Sequence, residues 1–462
     1  MKNNIKILTI LLSVSITTSM DFLYADSQNT ESLNTIDILK DVIITNKTAA
    51  NKTMSTVANK EPLNVRNTSG VGVEIGGKLD MQYGYNSVDK CFKIDGMSQC
   101  GLSSSSYSPK KIGNVTGLGT DTRFSLNIFK RTDSIDIFGA YLEIQADRDT
   151  KNVGRQSYIY INSKGGRIEI GNMDGASTNM QVSASTIALG TGGIDGDLRG
   201  WNNFKALIVG SNQLADNMFI NKPRLPMNCV EKKQNRISYY TPQIYGLTLG
   251  FSYAPDPSDS PNKLGSITSV LSNNYYYVDL FDIGAKYERQ IMNSVNFSTS
   301  LTTQFSRHNT QINTASYNDM FAYEIGAKFD IDAWSFAGSY ANQNKSFCLK
   351  NETGKKDGNY YTLGTSYKYS DDLAFSLTYF YSLSQANAYQ SNIIGVSASN
   401  NGENKSKIIS IATEYLLVPG MKYYAELNHY NYKSDVVKRT NSSLKVIGNN
   451  GYTFLTGLRV QF

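Results

Sequence analysis

Apolar and polar residues alternate one for one over most of the chain. Val71, Val73, Ile75, Leu79, Met81, Tyr83 and Tyr85 share one parity, and Glu74, Lys78, Asp80 and Gln82 the other. Phe124, Leu126 and Ile128 oppose Arg123, Ser125 and Asn127 in the same way. Phe138, Ala140, Leu142, Ile144 and Ala146 oppose Glu143, Gln145 and Asp147. Val295 to Phe305 and Phe321 to Phe329 repeat the pattern. A strand sends successive side chains to opposite faces, so the rhythm predicts strands that are oily on one side and wet on the other. Similar segments cover roughly 155–162, 166–173, 236–242, 246–254, 277–288, 334–340, 360–369, 373–381, 408–415, 421–430 and 452–462. Most are near the roughly nine to eleven residues that a tilted strand needs to cross a bilayer.

The connections carry a second rhythm. Short ones hold turn chemistry, as at Arg131-Thr132-Asp133-Ser134, Ser163-Lys164-Gly165-Gly166 and Pro419-Gly420. Long polar ones, about 86–120, 148–154, 174–235, 255–275, 306–320, 341–359, 382–407 and 431–451, alternate with them. Eight long and seven short connections join about sixteen strands. This predicts an all-β fold, a closed transmembrane antiparallel β-barrel with long outer loops and short periplasmic turns. Closure leaves no unpaired strand edge in the hydrocarbon. A soluble antiparallel array also alternates, since such sheets often have one wet face. The systematic alternation of loop lengths favours the barrel. So do aromatics near strand ends, such as Tyr239, Tyr240, Tyr367, Tyr369 and Tyr423. Tyr158 and Tyr160 against Ile159 and Ile161 leave one strand ambiguous, apolar on both sides.

The last strand is the most telling. Tyr452, Phe454, Leu458, Val460 and the final residue Phe462 share a face that only Thr456 interrupts, and Leu455 is the matching exception on the polar face. A terminal aromatic closing an amphipathic strand is the assembly signal of outer-membrane barrels. Tyr452, Leu458, Val460 and Phe462 are the residues expected to meet the barrel-assembly machinery.

Composition changes the picture little. Only 40% of the 462 residues are apolar, while Tyr (31) and Gly (37) are abundant and Pro (9) is scarce, which suits a lipid-facing wall around a watery interior. Residues 1–25 read as a signal peptide: Lys2 and Lys6, a short apolar core from Ile7 to Ile16, and a cleavable Leu23-Tyr24-Ala25. Residues 26–69 form a polar periplasmic segment. Leu33, Ile36, Leu39 and Ile43 within it have the spacing of one helical stripe. Residues 70–462 are the barrel. Removing the signal lowers the net charge from +6 to +5, too mild a surplus to indicate nucleic acid. Export allows disulfides, with Cys91–Cys100 a local candidate pair and Cys229–Cys348 a second. With no CxxC pair, and His308 and His429 far apart, nothing points to zinc or to another cofactor.

Three stretches resemble the general diffusion porins of Gram-negative bacteria, in particular the alphaproteobacterial type. They are RQSYIYINSKGGRIEIGNMDGA from Arg155 to Ala176, RISYYTPQIYGLTLGFSYAPD from Arg236 to Asp256, and the ending GLRVQF. The resemblance spans about residues 70 to 462. It implies a sixteen-stranded homotrimer in outer-membrane lipid, with a third outer loop folded inward to narrow a pore for small hydrophilic solutes and ions. The acidic loop motif of enterobacterial porins is absent.

The longest connection, 174–235, fits that loop. Its first half is small, Gly-rich and acidic, with Gly190, Gly192, Gly193, Asp195, Gly196 and Asp197. A long connection without strands of its own is usually functional. Its Gly pattern matches neither a dinucleotide nor a phosphate-loop motif. A calcium site at Asp195 and Asp197 would need oxygen ligands from elsewhere. By parity, Lys78, Arg123 and Arg167 line the interior as a basic wall, with Glu74, Asp80, Glu143 and Glu169 as acidic wall residues. In related porins such basic residues face acids on the loop, and here Asp174, Asp195 and Asp197 take that side. Charged walls of this kind bias ion passage. The leading expectation is a passive channel. The alternative is a surface adhesin or antigen that uses the barrel as a platform for its long outer loops. An enzyme is disfavoured, because no GxSxG occurs and the two histidines cannot meet in one site.

Overall fold

Wherever period-two alternation persists, the chain runs as a strand, and the strands close on themselves. The computed structural model describes residues 63–66, 70–90, 92–94, 97–99, 115–132, 136–147, 154–201, 220, 222–226, 233–255, 277–308, 318–346, 350, 357–385, 396–398, 403–434, 437–439 and 447–462. Residues 1–25, expected to be a signal peptide, most of the 26–69 segment and all four cysteines, with the two disulfides expected of them, lie outside the described residues.

The strands in order are β1 (Leu63–Arg66), β2 (Val71–Lys90), β3 (Phe92–Ile94), β4 (Met97–Gln99), β5 (Val115–Arg131), β6 (Ile137–Gln145) and β7 (Gly154–Ser163). There follow β8 (Gly166–Met173), β9 (Gln234–Tyr240), β10 (Leu247–Ala254), β11 (Tyr277–Met292), β12 (Val295–His308), β13 (Met320–Ile331) and β14 (Trp334–Asn344). The last are β15 (Gly358–Lys368), β16 (Leu373–Gln385), β17 (Val396–Ala398), β18 (Glu403–Val418), β19 (Met421–Ser434), β20 (Val437–Arg439) and β21 (Ile447–Gln461).

Setting aside the short β1, β3, β4, β17 and β20, sixteen strands form one closed antiparallel barrel. Each pairs with its neighbour in sequence, and β2 pairs with β21 to shut the ring. The seam runs in register from Lys78 opposite Gln461 upward. At its lower end Gly77 N–H donates to the Phe462 carbonyl (2.9 Å) and Phe462 N–H to the Gly77 carbonyl (3.2 Å). Below that point β1 continues the same lane, pairing Leu63 with Ile75 and Arg66 with Gly72. Seven short connections alternate with eight long ones. β17 and β20, from the last two long connections, pair with each other.

One parity of every barrel strand faces outward. Ile75, Met81, Phe124, Ile128, Leu142, Phe251, Ile325, Leu363 and Leu427 all stand exposed on it. Such a belt is far larger than a water-soluble monomer leaves bare, and it suits hydrocarbon. Aromatics crowd the short-turn rim: Trp334 packs on Tyr367 (4.4 Å between centroids), and Tyr245 and Tyr369 stand exposed at their turns. The strand left ambiguous by its sequence resolves cleanly. Ile159 and Ile161 point outward, whereas Tyr160 is buried inside and donates to Asn127 Oδ1 (2.9 Å). Both exceptions in the last strand are explained. Thr456 Oγ1, on the oily face, bonds the Tyr424 carbonyl (2.9 Å) and so needs no water. Leu455, on the inner face, is fully buried opposite Gly84.

Candidate functional site

The segment after β8 turns onto the inner parity of the wall. It is built of short pieces: α1 (Ala176–Asn179), 3-10 turns at Ala184–Ile187 and Gly193–Asp195, and α2 (Leu198–Trp201). None could persist alone, since helices this short do not hold themselves together in water. Inward-facing side chains of successive strands hold them instead. Ala176 N–H donates to Ser252 Oγ on β10 (2.9 Å), and Val182 N–H to Ser300 Oγ on β12 (2.9 Å). Ala184 N–H reaches Thr362 Oγ1 on β15 (3.1 Å), and Leu189 N–H reaches Ser376 Oγ on β16 (3.0 Å). Gly190 N–H meets Glu414 Oε1 on β18 (3.1 Å). On β19, Glu426 Oε2 accepts from Thr191 N–H (2.7 Å) and Gly193 N–H (3.3 Å). At the far end the Trp201 indole donates to Gln82 on β2, and its ring lies over Gly84. The segment thus follows the inner wall from β10 round to β2.

The reason it can lie so close is local. Gly190, Gly192 and Gly193 all have positive φ (69°, 117° and 58°), a region closed to most side chains, and this aims Thr191 and Gly193 N–H at one carboxylate. At Gly326 on β13 a Cβ would collide with the Val182 carbonyl, so only glycine admits the backbone there. Ala184, Ile194 and Leu198 then bury themselves against Tyr360, Phe380, Ile408 and Tyr430. Burying each large side chain contributes about 1.5–3 kcal/mol. Carboxylates beneath are fully partnered: Glu324 accepts from Gln181 Nε2 (2.9 Å) and the Tyr360 hydroxyl (2.8 Å). Asp282 takes the Arg236 guanidinium, the Ser177 hydroxyl and Gln304 Nε2 (2.7 Å).

On the other side, between this segment and β2–β9, lies a cavity of about 540 Å³. Of the residues singled out in the sequence it gathers Asp80, Arg123, Asp174, Asp195 and Asp197. Lys78 stands just behind, bridging Asp121 (2.6 Å) and Asp80 (3.4 Å). Glu74, Glu143, Arg167 and Glu169 are on the inner parity but outside this cavity. Glu74 accepts from Asn127 (2.8 Å), Arg167 pairs with Glu169 (2.6 Å) over the Tyr160 ring, and Glu143 pairs with Arg155 (2.6 Å).

Five further cations line the cavity beside Arg123 and Arg155: Arg199, Lys222, Arg224, Lys233 and Arg236. Period-two parity could not find those in the loop. Asp195 pairs with Arg224 (2.7 Å) and sits 3.8 Å from Arg199, while Asp174 pairs with Lys233. Among the described loop carboxylates, Asp174 and Asp195 are therefore each met by a cation from their own segment. Asp197, exposed at the cavity, instead accepts from Gln82 Nε2 (3.3 Å), and desolvation by the surrounding wall holds its carboxyl above the usual aspartate range, against the pull of Lys78. Burial likewise lowers the Lys233 ammonium, opposed by Asp174. Asp121, which holds Lys78 and Arg123 (2.7 Å), shares the parity of Arg123 and was legible by the same rule. Among the described residues no group of His, Cys, Asp and Glu could hold a metal.

The model of the Gram-negative porin family matches residues 48–435. An uncharacterised protein of Rickettsia typhi is 25% identical over 399 residues, covering 75% of this chain and 85% of the relative. An uncharacterised protein of Rickettsia conorii is 24% identical over 397 residues, covering 75% and 85%. Among solved structures, OmpT, an outer membrane protein of Vibrio cholerae, superposes with a TM-score of 0.51 at 12% identity, covering 87% of this chain and 100% of that one. The anion-selective porin from Comamonas acidovorans gives 0.50 at 18% identity, covering 85% and 100%. At these identities the structural likeness speaks to the fold.

Proposed function

The chain belongs to the Gram-negative porin family of outer-membrane channels, and from that premise we propose a passive, non-enzymatic route for small hydrophilic solutes and ions, narrowed by the third long connection. The observation that carries this reading is the lateral division of the interior. Residues 174–201 fill the side against β10–β19, and the charged cavity remains beside β2–β9. Solute would pass along that cavity, where fixed charges stand in for part of its hydration. Passage needs no energy source and no covalent chemistry.

The working unit in this reading is a homotrimer in outer-membrane lipid. Its assembly is directed by the outward row Tyr452, Leu458, Val460 and Phe462, whose last ring packs towards Phe124 (6.4 Å between centroids). Asp174, Asp195 and Asp197 act on the loop side and Lys78 and Arg123 on the wall side. Arg167, with Glu74, Glu143 and Glu169, sets the charge of the wall elsewhere.

Full-length protein in planar bilayers is expected to give stepwise conductance, in groups of three. Deleting Gly190 to Asp197 is expected to raise the step size. Well-folded protein without steps would refute the channel, and an unchanged step after the deletion would remove this segment from the constriction.

A further inference from the structure

We propose that Lys405, Lys407 and Lys433 hold the phosphate of an anionic lipid against the outer rim of the barrel. The proposal needs the barrel to lie in a bilayer and does not depend on what passes through it. The opposed pairs on the lipid-facing parity of β18 and β19, from mid-wall towards the long connections, are Ile411–Leu427, Ile409–His429, Lys407–Asn431 and Lys405–Lys433. Ile411 and Leu427 belong to the exposed apolar belt. At the next rung the His429 ring packs on Tyr452 (4.8 Å between centroids), and Tyr379, opposite Ile409, packs on Tyr361 (5.9 Å). Such rings mark the level where hydrocarbon gives way to headgroups. The lysines follow directly above it, on rungs about 7 Å apart.

Lys405 pairs with Glu403 (2.8 Å). Lys407 and Lys433 are exposed, and among the described residues neither meets a carboxylate. The Lys407 ammonium stands instead 5.8 Å from the centre of the Tyr379 ring. Lys433 lies directly opposite Lys405, and like charges so placed repel. An anion between them relieves that repulsion, and the anions held at the depth of the headgroups are lipid phosphates. Lysine suits the position, since its stem lies along apolar wall while its ammonium reaches the headgroup layer. The rim of β11 and β12 is arranged differently. There the exposed Arg307, on the outward parity of Phe305, is met by Asp279, which also takes the Tyr253 hydroxyl (2.7 Å). That cation is already neutralised, so the two places on one rim differ in what they offer a phosphate.

The test is native mass spectrometry of the detergent-folded full-length protein, titrated with phosphatidylglycerol or with phosphatidylcholine, each alone and with inorganic phosphate in molar excess. Phosphatidylglycerol carries a net negative charge and phosphatidylcholine none. The expected result is tighter binding of phosphatidylglycerol, not displaced by inorganic phosphate. Lys407→Gln combined with Lys433→Gln is expected to weaken it by roughly fivefold for each lysine removed, with phosphatidylcholine binding and heat-modifiable gel mobility unchanged. Asp279→Asn combined with Arg307→Gln removes a neutral pair from the same rim and is expected to leave the phosphatidylglycerol affinity as it was. Undiminished affinity in the double lysine variant overturns the proposal. An equal loss in the Asp279 and Arg307 variant also overturns it, by making the effect one of any polar rim residue. Displacement by inorganic phosphate overturns it as well, by making the site one for the free ion. None of these readouts uses conductance, so a failure of the channel reading is seen separately.

Discussion

The two sides of the barrel wall have the same strand architecture and opposite interiors. Along β10–β19 most inward side chains beneath the loop are small and neutral, and they vanish there: Thr302, Gln304, Thr362, Thr378, Ser410 and Asn428 are each at most 1% exposed, and the carboxylates among them, Asp282, Glu324 and Glu426, are buried with partners of their own. Among them and beside them, the hydroxyls of Ser252, Ser300, Thr362 and Ser376 and the carboxylates of Glu414 and Glu426 fasten a backbone without regular structure of its own. Along β2–β9 the inward side chains are long and charged, and they are held by ion pairs that water still reaches. One side behaves as a protein core, where an unpartnered group is costly. The other behaves as a solvated surface, where a pair contributes little to stability and much to the local field.

The sharpest way to break this contrast is to remove one carboxylate from each side. Asp282→Ala leaves Arg236 buried (4% exposed side chain) without its counter-charge, and an expected loss of about 3–5 kcal/mol follows. Asp121→Ala, whose partners are partly exposed, is expected to cost at most about 1 kcal/mol. Heat-modifiable gel mobility of detergent-folded protein measures both, and equal losses would erase the distinction.

Glu426→Gln comes next. It removes the negative acceptor for Thr191 and Gly193 N–H, bonds worth about 1.5–3 kcal/mol for a charged partner. The expected readout is noisier current and a larger open step. A quiet, wild-type trace would show that the loop does not depend on that anchor.

Gly326→Ala drives a methyl group into the Val182 carbonyl and is expected to destabilise by about 1–3 kcal/mol. Gly154→Ala on the charged side meets nothing within 4 Å and is expected to be nearly neutral. Thermal unfolding of the two variants compares them directly.

The smallest effect concerns acidity. The Asp197 carboxyl sits above the usual range, so its charge is lost at a higher pH than that of an ordinary aspartate. Lys78 and Gln82 face it favourably and Asp80 and Asp121 unfavourably. As pH falls from neutral and this site loses its charge, the chloride-to-potassium permeability ratio is expected to rise slightly. Asp197→Asn should already show the raised value at neutral pH and lose the step. Reversal potentials taken across pH 7 to about 4 follow it.

How much of this was readable beforehand differs by region for a physical reason. Strand parity is a local property, so the outward faces of β2, β12 and β13 and the inward Lys78, Asp80 and Arg123 followed from spacing alone. Arg155 defeated the rule because a register shift between Glu143 and Ile144 on β6 lets it turn inward out of step with Ile159 and Ile161. Arg199, Arg224 and Lys233 lie in a segment with no period, and they converge only when distant strands position it. The acidic cluster at Asp195 and Asp197 was visible as composition, but its cationic partners were not. Glu324 and Glu426 share the wet parity of their strands, and only the docked loop distinguishes them from ordinary wall charges.

The seam at Gly77 and Phe462 carries a kinetic consequence. Asp80 and Arg459, 379 positions apart, meet across it at 2.7 Å. No intermediate length of polypeptide can make that contact. Every earlier stage therefore presents two open sheet edges, which invite pairing with other chains. Closing so long a contour is entropically slow. Chains truncated before Arg459 should accumulate as aggregates or degradation products, because the final dozen residues act as the latch of the ring.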